Sequence, residues 1–531
     1  MTRKQLRAHL GIGASKATMV SGRLNAVSCR LSGQRLIGFR AFRAPSTASG
    51  RNRGSNARVR KSTTTVWRAS SSTNSSTAPP QVAVLGGGAA GLTAAYFAAS
   101  AGVRVTIYER TSEAGKKILM SGGARCNVLP VSATAADFVT ESTPRLVKAV
   151  LASWNVERCR KWLEQDIKLE MGIEHTTNKY FPLSNSSREV RDKLMQACLD
   201  AGVEIQYDTS VEGLRPVDGG SSWALRIRNE ADVHVPVVIL AMGGLSFPAV
   251  GTDGTGYTIA RRDLNHVLKE PYPALVPLTG EHPGGERLPG LSVDVSLECE
   301  QIVQGQKKKK KKNKASREGF LFTHRGFSGP SILDLSHNVV RPLVRKQGGG
   351  AASSSTSEGK TDEISVVTDS GETALPSLVV NWSGDTREDW QMRLTAPPGK
   401  AMVATRLRDA LPQRLADALL AEAGINLDCK VADLRKAERL SLLEILTKYR
   451  IVVDGHQGYR KAEVTGGGVS LDEIDTKSME SLKAPGVYMC GEVCDVFGRI
   501  GGFNFLWAWT SGRLAGLSAA KRFMDPEEDA M

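Results

Sequence analysis

Apolar and polar positions along the chain follow two periods. Val82–Leu85 is a short unbroken apolar run of the kind a strand buried on both faces requires. Ala89–Ala101 is Ala-rich and uncharged, which favours helix, and Val103–Tyr108 predicts a second strand ending at Glu109. The same alternation predicts a helix over 188–201 and strands over 203–207 and 235–241. From Pro273 the runs shorten. Stretches 291–297, 319–323 and 378–382 read as strands between turns and predict an all-β insertion. Over 389–448 apolar residues recur at three- and four-residue spacing (Leu415, Leu419, Leu440, Leu443, Ile445, Leu446), which predicts helices. After Gly458 the α/β pattern returns and closes with a helix over about 505–521. A hydropathy scan flags Val82–Val103, but its five glycines and strand–turn–helix pattern argue against a membrane span, and no membrane partner is expected.

At 531 residues the chain exceeds the size of one hydrophobic core, and 41% hydrophobic with 24% charged residues is an ordinary globular composition. The net charge of +15 changes the picture only locally. Residues 1–80 carry 15 Lys or Arg and no Asp or Glu, so residues 81–531 are neutral overall. This Arg-, Ser-, Thr- and Ala-rich segment lacks the apolar block of a secretory signal and reads as an organelle transit peptide, with a disordered basic tail as the bland alternative. Its Ser/Thr-rich part, Ser46 to Thr77, favours a plastid (chloroplast) address, and the Arg-rich first third makes mitochondrion the second choice. The lysine run Lys307–Lys312 and the Gly/Ser-rich stretch around Gly348–Ser357 read as solvated loop expansions. No aromatic residues interleave with the lysines as a base-stacking surface would need. Eight cysteines without framework spacing predict neither a disulfide scaffold nor a metal site.

The chemistry begins at Gly86-Gly87-Gly88-Ala89-Ala90-Gly91, a G-x-G-x-x-G turn between a strand and a helix. Gly86 permits the tight turn, Gly88 admits a pyrophosphate to the backbone, and Gly91 lets helix and strand pack closely. The helix then aims its N-terminal NH groups at the phosphates, and Glu109 can accept from the adenosine ribose hydroxyls while repelling a 2′-phosphate. This predicts an adenine dinucleotide, FAD or NAD. The block Gly115–Asn127, with Lys116, Lys117, Ser121, Gly122, Arg125, Cys126 and Asn127, suits a loop crossing a pyrophosphate and an isoalloxazine ring. Cys126 read singly is a small buried hydrophobe more often than a reactive thiol. Near the C-terminus, Gly491-Glu492 can place a carboxylate on ribityl hydroxyls, and Gly501-Gly502 with Asn504 lets the last helix approach the flavin pyrimidine edge. NAD needs no such distal element, so FAD is the expected cofactor.

Through these blocks the chain resembles the BaiN-like family of NAD(P)/FAD-dependent oxidoreductases, found in bacteria and plants. The resemblance covers residues 81–520. It rests on the glycine turn with Glu109, on Gly115–Asn127, on Tyr180-Phe181-Pro182, and on Ala241–Gly244 with Gly251–Tyr257. It continues through Leu321–His324 with Ser328–Pro330, Thr465–Val469, and Gly491-Glu492 through Trp509. It implies an α/β fold: an FAD-binding Rossmann-like domain interrupted by a β-barrel-like insertion and a small helical subdomain. The expected division is 1–78 transit peptide or disordered, 79–272 first FAD-binding part, 273–384 β-rich insertion, 385–456 helical subdomain and 457–531 second FAD-binding part. Arg110, Val211, Gly243 and Gly244 complete the expected cofactor contacts. Where the family usually has Gly, Thr and Gln, this chain has Ala124, Ile500 and Leu506, and the last two remove hydrogen-bonding groups from positions expected near the flavin.

The expected cycle is reduction by NAD(P)H and hydride transfer to a small electron-poor substrate of enone type. No second G-x-G-x-x-G supplies a separate nicotinamide domain, so NAD(P)H is expected as a transient visitor to the substrate cleft, with another electron donor as the alternative. His324 is the candidate proton donor by residue type, with a structural histidine as the competing reading, and Arg125 and Arg499 are candidates to steady a developing enolate. Two further functions stay open. A flavin enzyme acting on RNA would need a basic groove, against which the neutral charge of 81–531 weighs, so no nucleic-acid partner is expected; a non-catalytic flavin-binding redox sensor would bind FAD without turnover. Sequence leaves the oligomeric state open.

Overall fold

The computed structural model describes residues 81–285, 288–300, 318–348, 376–395 and 401–524. The expected leader, the lysine run and the Gly/Ser-rich stretch past Gly348 lie outside them.

Five parallel strands form the heart of the first layer, in the order Val487–Met489, Val237–Leu240, Val82–Leu85, Val105–Tyr108, Glu204–Gln206. The three central strands are buried at every residue, as their unbroken apolar runs require. An antiparallel hairpin, Ile474–Asp475 with Glu480–Ser481, extends the sheet past Val487–Met489. One sheet is thus woven from chain segments some four hundred residues apart. Two helices cross on it, Ala89–Ser100 and Phe503–Lys521. Their approach is closest where the last helix has glycine: a Cβ on Gly512 would stand 2.6 Å from the Ala90 carbonyl oxygen, and one on Gly516 would stand 2.3 Å from that of Ala94.

The second layer is a seven-stranded antiparallel sheet in the order Tyr449–Ile451, Ser377–Asn381, Ser292–Glu300, Glu318–Thr323, Gly326–Ser328, Leu278–Thr279, Gly455–His456. The insertion is not all-β as its strand-like runs predict. Pro330–Gly348 is a helix, with Ile332, Leu333, Val339, Val340 and Leu343 buried at helical spacing. Helices Arg387–Arg393, Val403–Arg408, Gln413–Glu422 and Lys436–Thr447 follow. They share one core with the antiparallel sheet: Leu415, Leu419, Leu443 and Leu446 pack with Phe320, Phe322 and Trp382. The expected boundary between β and helical parts therefore has no counterpart in the packing. Leu440, expected inside, is 47% exposed, and Leu442 takes the inward position. Two strands, Leu268–Ala274 and Val464–Val469, pair antiparallel where the chain leaves and re-enters the first layer. No helix among the described residues is long and apolar enough to cross a membrane.

Candidate active site

Every one of the five parallel strands delivers its carboxyl end to a single cavity of about 460 Å³. Val82–Leu85 runs into Gly86 and Gly88, Val105–Tyr108 into Glu109 and Arg110, and Glu204–Gln206 into Thr209 and Val211. Val237–Leu240 supplies Ala241, Met242 and Gly243, and Val487–Met489 supplies Gly491 and Glu492. Parallel sheets place ligand sites here because the loops and helix N-termini converge at that edge. Gly86 (φ +100°) turns so tightly that a Cβ would lie 2.7 Å from the Ala241 carbonyl oxygen, whereas a Cβ on Gly88 would meet only open space.

Of the cofactor residues expected from sequence, Gly86, Gly88, Ala89, Ala90, Glu109, Arg110, Lys116, Lys117, Ser121, Gly122, Asn127, Val211, Gly243, Gly491, Glu492, Gly501, Gly502 and Asn504 line this cavity. Gly91, Gly244 and Cys126 stand behind the wall. Gly91 is required for packing, since its Cβ would sit 1.9 Å from the Gly86 carbonyl oxygen, and Gly244 leaves room for Thr465 and Glu492. Cys126 is fully buried, and burial pushes its thiol up to about 12, so it is the inert small hydrophobe rather than a thiolate.

The three residues expected to do chemistry are all placed elsewhere. His324 sits in the exposed two-residue turn between strands Glu318–Thr323 and Gly326–Ser328, outside the cavity wall. Arg125 points away, ion-paired to Glu174 at 2.8 Å and lying over the Phe181 ring. Arg499 is held by Asp334 (2.9 Å) and Glu318 (2.7 Å), so its charge is already matched. Residue type alone singled these three out, and the fold gives each a structural partner or an exposed turn. Of the two family departures expected near the flavin, Ile500 lines the cavity, but Leu506 is turned into the core.

Glu109 accepts from the Gly87 amide (2.9 Å) with one oxygen and from the Thr111 amide and hydroxyl with the other, which fixes the carboxylate at the cavity edge. Glu492 is fixed equally firmly: Thr465 N (3.0 Å) and Ser246 Oγ (2.8 Å) donate to Oε1, and Lys117 pairs with Oε2. Sequence gave no sign that Ser246 and Thr465 hold this carboxylate. It also missed the wall made by Phe247, Leu275, Glu463, Val464 and Val496. The conspicuous Thr465–Val469 glycine block starts two residues too late, and a glutamate after Lys461 reads as surface charge.

The residues present fit FAD. Two helix N-termini, at Gly88 and Gly502, face the cavity and suit an anionic diphosphate and an electron-rich ring edge. Asn127 Oδ1 is buried in the wall without a hydrogen-bond partner among the described residues, an acceptor that a flavin ring N–H would satisfy.

The fold and this cavity define a flavin-dependent oxidoreductase of the Rossmann type. The HI0933-like protein Rossmann domain model matches residues 80–518, and the chain belongs to that family. It is 30% identical over 424 residues to the ribosomal RNA dihydrouridine synthase of Escherichia coli (strain K12), a match covering 79% of this chain and 93% of that protein. The protein of the same name from Haemophilus influenzae is also 30% identical, over 81% of this chain and 96% of its own length. The 3-dehydro-bile acid delta(4,6)-reductase of Clostridium scindens is 27% identical over 81% of this chain and 97% of the relative. The chain is an FAD-dependent oxidoreductase.

Proposed function

We propose that this chain reduces a carbon–carbon double bond conjugated to a carbonyl, that its substrate is the uracil ring in RNA, and that NAD(P)H is the electron source. The observation that carries the substrate is the pair of relatives at 30% identity, each matched over more than nine-tenths of its length and each named as a ribosomal RNA dihydrouridine synthase. The C5=C6 bond of uracil is conjugated to the C4 carbonyl, so uracil belongs to the same enone-type class as the ring that the bile acid reductase name denotes. One reaction class thus accommodates both kinds of relative.

FAD bound in this cavity supplies the hydride chemistry. Glu109 and Arg110 hold the adenosine end, the Gly86–Gly88 turn takes the diphosphate, and Glu492, steadied by Lys117, Ser246 and Thr465, takes the ribityl hydroxyls. Phe247, Leu275, Val464, Val496 and Ile500 offer an apolar wall for a flat conjugated ring and exclude water from it. Exposed Arg460 and Lys461, two to three residues before Glu463, offer cations for an RNA backbone despite the neutral net charge of residues 81–531. A plastid or mitochondrial address in the leader would make that RNA an organelle's own.

A second reading keeps the reaction and replaces RNA by a small enone, favoured by the Clostridium relative and by the neutral body. The test is anaerobic incubation of the chain with NADH or NADPH and unmodified ribosomal RNA transcripts, beside a 4-ene-3-ketosteroid. The proposal expects dihydrouridine in the digested RNA by mass spectrometry. Reduction of the steroid with RNA untouched would move the assignment to the second reading, and reduction of neither would contradict both.

A further inference from the structure

Protonating the α-carbon requires an acid inside the cavity, and His324, Arg125 and Arg499 do not reach it. Five carboxylic side chains line the wall: Glu109, Glu113, Asp253, Glu463 and Glu492. Four are already engaged. Glu109 accepts from Gly87 and Thr111, Glu113 pairs with Arg191 at 3.6 Å, Asp253 pairs with Arg110, and Glu492 pairs with Lys117. Glu463 has no hydrogen-bond or ion-pair partner for its carboxyl group among the described residues.

Its position is as distinctive as its freedom. Glu463 opens the return strand Val464–Val469, and its amide donates to the Leu275 carbonyl, so the two chain crossings between the layers are tied together at this point. Leu275, Glu463 and Val464 line the same cavity as the expected FAD contacts, and none of the three is itself one of those contacts. A substrate ring entering between these residues and the cofactor would meet this carboxyl group. We propose that Glu463 is the general acid of the reaction, delivering the proton to the substrate carbon adjacent to the carbonyl.

The inference rests on the reductase reading above. In the step, the C=C π bond breaks and two C–H bonds form. A hydride from reduced flavin, itself reduced by NAD(P)H, goes to the β-carbon (C6 of uracil), and the Glu463 proton goes to the α-carbon (C5). Flavin is oxidised by two electrons, the substrate is reduced by two, and Glu463 is left as a carboxylate that regains its proton from water. Desolvation in the cavity wall raises the half-buried Glu463 carboxyl above its ordinary range, and Lys117, the charged group that acts on it, opposes the rise only in part. The acid is therefore retained to higher pH than a solvated glutamate would allow, which is the condition a proton donor needs.

The experiment compares the holoenzyme with E463Q and E463D. Three readouts are taken: FAD content and anaerobic reduction by dithionite; reoxidation of the reduced enzyme by unmodified ribosomal RNA transcript and by 2-cyclohexenone; and infrared titration of the protonated-carboxyl band. Expected are unchanged FAD content and reduction in E463Q, with reoxidation slowed about 100-fold or more and partly restored in E463D. The wild-type rate should fall as pH rises through the Glu463 midpoint, a limb that E463Q lacks. The band lost in E463Q should titrate above the ordinary carboxylate range. Wild-type reoxidation rates in E463Q, loss of FAD from it, or an ordinary infrared midpoint would each overturn the assignment. A wild type inert to both probes, with the band still titrating high, would support the Glu463 state while contradicting the substrate reading.

Discussion

Lys117 forms an ion pair with Glu492 across 375 residues of sequence, and Lys117 also donates to Ser246 Oγ at 2.5 Å. The pair joins the short helix Lys116–Met120, after the second parallel strand, to the turn after the C-terminal one, so one contact ties two segments that line the cavity. Both side chains are largely withdrawn from water, where removing one partner leaves the other's charge poorly matched. Lys117→Met is expected to weaken FAD binding about 10- to 100-fold, read by fluorescence titration of the apoprotein. An unchanged affinity would separate this pair from the cofactor site.

The residue after the second glycine of Ser121-Gly122-Gly123 carries a backbone conformation that suits glycine better. Ala124 has φ +68°, following Gly122 (φ +55°) and Gly123 (φ +65°). An L-residue held there loses about 1 kcal/mol relative to glycine. Ala124→Gly is expected to raise stability by about that amount, less the backbone entropy glycine adds to the unfolded chain, and a denaturant midpoint that falls would contradict it.

The crossing of the first and last helices leaves no room at Gly516, whose Cβ would meet the Ala94 carbonyl 2.3 Å away. Gly516→Val must separate the helices, and with them the two N-termini that face the cavity. A loss of about 3 kcal/mol or more is expected, together with weaker FAD retention. Thermal unfolding and flavin release, followed together, check both.

His337 is half-buried against Phe497 with Nδ1 lacking a partner among the described residues, and desolvation, aided by Arg341, lowers its imidazole to about 4. The folded state holds it neutral while the unfolded chain takes a proton near 6.5. Its contribution to stability is therefore complete above about pH 6.5 and is lost progressively as pH falls toward 4. His337→Phe should remove one proton's worth of that slope in urea unfolding measured across this range. An unaltered slope would mean the imidazole is solvated.

The dinucleotide half of the site was legible because its determinants are local: an apolar run, a glycine turn and an acid at the next strand's end lie within Val82–Glu109. The chemistry was not, because it depends on which distant segments meet. His324 and Arg499 attracted attention by type, but a hairpin turn and a carboxylate cluster claimed them. Glu463 has no local signature and acquires its role from burial beside Leu275, nearly two hundred residues earlier. Helix Pro330–Gly348 was hidden because neighbouring short strands set the local reading, and Pro342 lies inside it, where proline removes a helical hydrogen bond.

The most direct test of the whole account is anaerobic stopped-flow absorbance of the purified chain, mixed in turn with NADH and NADPH. The account predicts a flavin spectrum from bound FAD that one of the nicotinamides bleaches rapidly. A folded preparation that carries no flavin, and takes none up from added FAD, would contradict it.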